Sequence, residues 1–384
     1  MKKVHSKVFT LFLLISIIML NINYSVAVQS LATDKLNMDE AIKLALQNSF
    51  SLEEKDIDIE NARIELKEKR DLTDEVRHLP AAYKRLGFEN YKIWHKYYEE
   101  YFEYLLKLSK KNKVLEVSNI KYNVMSNYYN ILYLNRSVEI LKDNINQIEN
   151  QLKIVNARLE TGNATELEKL QTEISLKDAK LQLKELENNQ KIAIMTLNKL
   201  LGLPLEQPLE LEDELSYEEL KEIDLEEAIQ NSLNNRLEMY IASQEKYFAQ
   251  KEYNLGEKFY VSSRGDDRRE EEKLYHKLQK AENQLKETEL NIRINMTSEY
   301  LNLLNLVEKI KVKKENVELA KDNLNQASLK YEIGMGTNLE VLNSSTLYKQ
   351  ALLDYYKAIY DFNLAKFRFE ALQNLGIRQM ISAQ

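Results

Sequence analysis

The sequence predicts an all-α protein of long antiparallel helical hairpins, internally duplicated. Three observations carry this reading. Glycine and proline are scarce, 8 and 3 in 384 residues, so helices run long and connections are few. Residues 158–170, RLETGNATELEKL, are echoed by residues 330–342, KYEIGMGTNLEVL, at an offset of 172. Val138, Leu141, Ile145, Ile148, Leu152, Val155 and Leu159 are spaced alternately 3 and 4, the heptad of helices packing at shallow angles.

Taken in order, residues 1–27 read as an export signal. Lys2, Lys3 and Lys7 precede the apolar stretch Val8–Leu20, and Ser25-Val26-Ala27 offers small residues for cleavage. The stretch is shorter than the roughly 20 residues of a comfortable span, which favours a cleaved signal, with an uncleaved anchor as the alternative. The chain is therefore expected to be exported to the cell envelope. Residues 28–204 form the first helical repeat. Its opening LNMDEAI (36–42) is matched by IDLEEAI (223–229), with Asn37 and Asp224 at N-cap positions and Glu40 and Glu227 three residues on. This offset is 187, so the two repeats differ in length by 15 residues upstream of their hairpins.

No Gly or Pro falls between Gly87 and Gly162; a single helix over that run would extend on the order of 100 Å. Gly162 then supplies the left-handed residue that ends a helix, and Thr165 with Glu168 forms a capping box for the next. Leu201-Gly202-Leu203-Pro204 closes the repeat, and the acidic segment 205–222 reads as an extended linker with room for a short strand.

The second repeat, 223–384, reuses the same devices at Gly334, Thr337 and Glu340, and Leu375-Gly376-Ile377 closes it. Its seam is weaker: Ile310, Lys313, Val317, Ala320, Leu324, Ala327 and Tyr331, with Lys313 expected on a solvated flank or polar lumen. Residues 256–267, GEKFYVSSRGDD, read as a turn, and an uninterrupted run follows from Arg268 to Ile333.

Composition excludes several kinds of chemistry. Without residues 1–27 the chain keeps 51 basic against 61 acidic residues, which argues against nucleic acid as a partner. It has no Cys, hence no disulfide or thiolate metal site. His5, His78, His95 and His276 are scattered without ligand spacing, and no nucleophile elbow, phosphate loop or dinucleotide fingerprint occurs. Asp266-Asp267 reads as loop surface. No catalytic residue, cofactor or metal is expected, and the protein is not read as an enzyme.

Taken together, TGNATELEKLQTE (161–173), YEIGMGTNLEVL (331–342) and LNKLLGLP (197–204) resemble the TolC-type outer-membrane efflux family, over about residues 34–377. That resemblance implies a homotrimer whose hairpins form a hollow α-helical barrel, fed by an inner-membrane pump through a periplasmic adaptor. It implies that the hairpin tips meet the adaptor: Arg158, Leu159, Gly162, Thr165 and Leu167 in one, Lys330, Tyr331, Gly334, Gly336, Thr337 and Leu339 in the other. The family usually has Asp where Glu168 and Glu340 stand, and an apolar residue at Lys169. It also inserts two β-strands between paired helices in each half.

Here residues 256–267 are too short for such a pair, each strand needing about 9–11 residues. The first-half connection instead spaces Tyr91, Trp94, Tyr98, Tyr101, Phe102, Leu105 and Leu108 by helical intervals. Little or no β-barrel is therefore expected. Tyr91, Trp94 and Tyr98, with Lys84, Arg85, Lys92 and Lys96, are either an anchor at a membrane or wall, or the packing of a bundle's closed end. Two functions stay open: a passive efflux or secretion duct, or a barrel-less coiled-coil spacer that docks an adaptor.

Overall fold

The computed structural model describes residues 35–260 and 267–374, so the expected signal segment lies outside the described residues. Among them, nine α-helices account for the fold and no strand is present: α1 Met38–Gln47, α2 Phe50–His78, α3 Phe88–Trp94, α4 Tyr97–Glu160, α5 Glu166–Leu201, α6 Leu225–Asn235, α7 Leu237–Tyr260, α8 Asp267–Glu332 and α9 Asn338–Leu372. The chain divides into two compact units. The first combines residues up to 48 with 124–216 and 317–356; the second combines 49–123, 217–316 and 357 onwards.

The first unit is built around the predicted heptad. Val138, Leu141, Ile145, Ile148 and Val155 are buried, Ile145 and Ile148 packing with Ala179 of α5 and Leu342 of α9. The local signals act as read. Asn37 caps α1 in a full capping box, and Gly202 ends α5 with φ 73°. The segment after α5 is extended and pinned down. Asn198 donates to the carbonyls of Leu205 and Gln207 at 3.1 and 2.8 Å. A single parallel bridge joins Leu36 to Leu211. Beside it the fully buried Tyr128 places its hydroxyl 2.7 Å from the Leu36 carbonyl and 2.6 Å from an Asp213 carboxylate oxygen. Burial, reinforced by Asp213, pushes that phenol well above its ordinary pKa.

The second unit packs Met296, Leu303, Phe362, Phe369 and Leu372 into its interior. Asp224 caps α6 through the Glu227 N–H at 3.1 Å. At the ends of these helices Asn235 donates to the Gln373 carbonyl at 3.2 Å. In the first unit Asn48 donates likewise to the Leu201 carbonyl at 2.7 Å. The two pairs stand at the offsets of the sequence echoes, 187 for the asparagines and 172 for the carbonyls.

Two expectations are corrected. The run after Gly87 is not one helix: it breaks between α3 and α4 at Lys96, whose φ of 59° lies in the left-handed region. Nothing in the sequence marks this, because Lys is not a left-handed residue by preference. Nor is Gly256 part of a turn. It is buried inside α7, where a Cβ would lie 2.3 Å from Leu274 Cδ1, so the glycine is a notch for close approach of α8. The remainder of that expected turn, residues 261–266, lies outside the described residues. The second long run is confirmed as α8, 66 residues.

Candidate functional site

The two hairpin tips, both in the first unit, are built alike. In the first, the Asn163 N–H donates to the Arg158 carbonyl at 2.8 Å and the Gly162 N–H to that of Leu159 at 3.0 Å. In the second, Met335 donates to Lys330 at 2.8 Å and Gly334 to Tyr331 at 3.0 Å. These are Schellman closures, with Gly162 and Gly334 at φ 73° and 76°. Thr165 and Thr337 then start α5 and α9. Each backbone N–H is held by Glu168 or Glu340 at 2.8 Å, and each hydroxyl accepts from that glutamate's N–H at 3.3 Å. Gly336 is closely packed: a Cβ there would stand 3.0 Å from Lys330 Cβ.

The tips are joined to each other. The Arg158 guanidinium donates to the Tyr331 carbonyl and lies 4.6 Å above the Tyr331 ring. Tyr331 packs with Val155, Ala327 and Val341 and is only 3% exposed. Burial, with Glu168 adding to it, raises the pKa of this phenol. Among the described residues neither its hydroxyl nor Arg158 Nε has a hydrogen-bond partner. Around this core the tips present apolar side chains to solvent: Leu167 is 63% exposed, Leu339 50% and Met335 79%. Leu159 is half-buried, and Lys330 is exposed.

Behind the tips runs a buried polar ladder that sequence reading missed. Gln151 donates to Asn338 Oδ1 at 2.8 Å, and Asn338 Nδ2 donates to Thr172 Oγ1 at 2.8 Å and the Glu168 carbonyl at 3.2 Å. Further along, Asn144 donates to Ser345 at 2.8 Å and Ser345 to Gln147 at 3.2 Å. One signal was available: Asn144 and Gln151 each directly precede or follow a seam position, where an amide is bound to be partly buried.

The second unit carries the aromatic cluster. Tyr97, Tyr104, Phe248 and Leu255 form its buried centre, with Tyr91, Tyr98 and Tyr101 packed against it. Tyr91 makes tilted ring contacts with His95 and Phe259. Trp94 lies half-buried under Lys84, whose Nζ is 5.4 Å from the ring. Tyr98 donates to Glu89. Within the cluster Lys92 is buried, 3.0 Å from Glu252 and 2.7 Å from Glu89, with the Phe88, Tyr97 and Tyr98 rings about it. Burial opposes its charge, but the bonds to Glu89 and Glu252 prevail and raise its pKa. Burial likewise opposes ionisation of Glu252, and is outweighed by Lys277 at 2.6 Å and by Lys92, so its pKa lies below the ordinary value. Among the described residues no carboxylate and imidazole group is arranged to hold a metal.

Residues 118–203, which hold the first hairpin, match the family model for "Outer membrane efflux protein". The fold is that of outer membrane efflux channels. The CusC channel superposes with a TM-score of 0.70 at 14% identity, covering 88% of this chain and 92% of that one. A membrane protein from Pseudomonas aeruginosa gives 0.68 at 13%, covering 88% and 90%. The VceC outer membrane protein of Vibrio cholerae gives 0.64 at 13%, covering 88% and 96%. No curated protein matches the sequence significantly. At such identities the efflux-channel likeness is one of backbone.

Proposed function

We propose that this chain is a subunit of a passive duct for efflux or secretion, exported to the cell envelope after loss of residues 1–27. Three copies close the tube, and the repeats 28–204 and 223–384, with 205–222 as their linker, give it quasi-sixfold walls. An adaptor docks at the tips and a pump feeds the lumen. The observation that carries this reading is the pair of interlocked, identically closed tips that leave Leu167, Met335 and Leu339 exposed. Two rigid turns ending in apolar side chains suit another protein's helical hairpin. The equivalent Asn48 and Asn235 contacts support the duplication. The aromatic end holding Tyr91, Trp94 and Tyr98 is where contact with a membrane or wall falls.

The fold of the first-half connection favours a second reading, a spacer that docks an adaptor without forming a duct. There residues 79–96 make a 3-10 turn, a short helix and a break. Light scattering on detergent-free protein separates the two. A mass of three chains, with a central hole in particle images, supports the duct. Because the chain has no Cys, engineered pairs report cleanly. Pairs joining an exposed α5 position (Leu170, Ile174) to an exposed α8 position (Leu319, Leu329) are expected to give cross-linked dimers and trimers. Chains that stay single in every pair rule out the closed tube.

A further inference from the structure

The second unit exposes a surface of unusual character between α2 and α3. Residues 76–88 read VRHLPAAYKRLGF, with Arg77, Lys84 and Arg85 and no acid between Glu75 and Glu89, in a chain whose acids outnumber its bases 61 to 54. Leu79, Pro80, Ala81, Ala82 and Leu86 are all exposed. Leu86 is 73% exposed; among the described large apolar side chains only Phe50 and Met335 are more so. Arg77, Arg85 and Lys258 enter no ion pair among the described residues. Arg77, Lys84 and Lys258 lie within electrostatic reach of one side chain, His95. His95, beside Trp94, has its pKa lowered by burial first and then by Lys84, Lys258, Lys251 and Arg77 together. Nearby Glu89 is taken by Lys92 and Tyr98.

We propose that residues 77–86 dock on an anionic lipid surface, Leu79 and Leu86 entering the headgroup layer while Arg77, Lys84 and Arg85 meet lipid phosphates. Apolar tips framed by cations, with a Lys-stacked Trp behind them, are the composition of an interfacial contact. A soluble polyanion would use the charges but not the leucines, which is why lipid is favoured. The docking defines the chemistry of the membrane contact assigned to the aromatic end and does not depend on the duct.

The test is sedimentation of the full chain with vesicles of phosphatidylcholine, or of equal parts phosphatidylcholine and phosphatidylglycerol. Trp94, the single tryptophan, serves as a local reporter. Anionic vesicles are expected to retain the protein, with loss of retention in high salt, and brominated acyl chains to quench Trp94. R77Q/K84Q/R85Q is expected to weaken binding about 100-fold, at roughly a factor of five per charge. L79S/L86S is expected to weaken it about tenfold. Arg77, Leu79, Arg85 and Leu86 are exposed, and Lys84, half-buried against Trp94, lies outside the long helices, so helical circular dichroism should be unchanged. Equal retention on both vesicles without Trp94 quenching would point to residues 8–20 and overturn the proposal. So would unaltered binding by either variant, or no binding at all. Competition by soluble polyphosphate, with L79S/L86S unaffected, would reassign the surface to a polyanion. Solution mass is a separate readout, so failure here leaves the duct reading standing.

Discussion

At the tip, Tyr331 is kept for its ring and not for its hydroxyl. The ring fills the space between Val155, Ala327 and Val341 under Arg158, and the hydroxyl has no partner among the described residues. Tyr331→Phe is therefore expected to stabilise the protein by about 1 kcal/mol, since an unpaired buried polar group is removed. Tyr331→Ala should cost about 3–5 kcal/mol, both read from urea unfolding. The turn glycines separate in the same way. A Cβ on Gly162 meets nothing within 4 Å, so Gly162→Ala carries only the left-handed backbone cost, about 1 kcal/mol. At Gly202 a Cβ would also lie 2.6 Å from Asn48 Cβ, and Gly202→Ala should cost about 2–4 kcal/mol. The sequence marked both positions as helix ends, because capping is local chemistry. It did not show which has a neighbour, because Asn48 is more than 150 residues away in the chain.

Between elements, buried polar groups fix which residues face each other. Asn338 at the start of α9 is tied to α4 through Gln151 and to α5 through Thr172. Asn338→Ala strands Gln151 and should cost about 2 kcal/mol. Gln151→Leu with Asn338→Leu should cost less than the sum of the singles, as a double-mutant cycle would measure. In the second unit, Glu252→Gln leaves Lys92 buried with one acid fewer, an expected loss of about 3 kcal/mol at neutral pH. The pH dependence has a definite sign. The Glu252 pKa is depressed on folding, so its contribution is present above the ordinary carboxylate value and lost as pH falls through the depressed one. The Lys92 pKa is raised, so its contribution is constant from acid to neutral pH and lost only at strongly alkaline pH. Wild type and Glu252→Gln should thus converge in stability on acidification below the carboxylate range. Only Gln151, beside the seam residue Leu152, gave a sign of this beforehand; Asn338 and Glu252 look like ordinary helix-surface residues.

For the molecule as a whole, the exposed stripe of Leu170, Ile174 and Leu181 on α5 repeats at coiled-coil spacing yet faces solvent in the single chain. In the proposed trimer these positions meet a neighbouring subunit. Replacing all three by Ser should leave helical circular dichroism intact while light scattering moves from three chains towards one. An unchanged mass would take this stripe out of the assembly.

What the sequence determined by itself was set by short-range physics. Glycine at the left-handed positions, threonine and glutamate at the caps and the 3–4 apolar spacing led to α5, α8, both tips, the end of α4 and the start of α9, each within a residue or two, but not to the start of α4 at Tyr97. It also carried the resemblance to efflux channels that the backbone bears out. Only the tertiary structure decided the rest. Gly256 became a packing notch because α8 lies against it. Lys96 broke a helix without any breaker residue, where α3 packs among the aromatic rings. Tyr331 is buried under Arg158 of the other tip with its hydroxyl unpartnered among the described residues. Each of these depends on atoms brought close by packing between segments remote in the chain, and periodicity along a helix carries no record of what lies across from it.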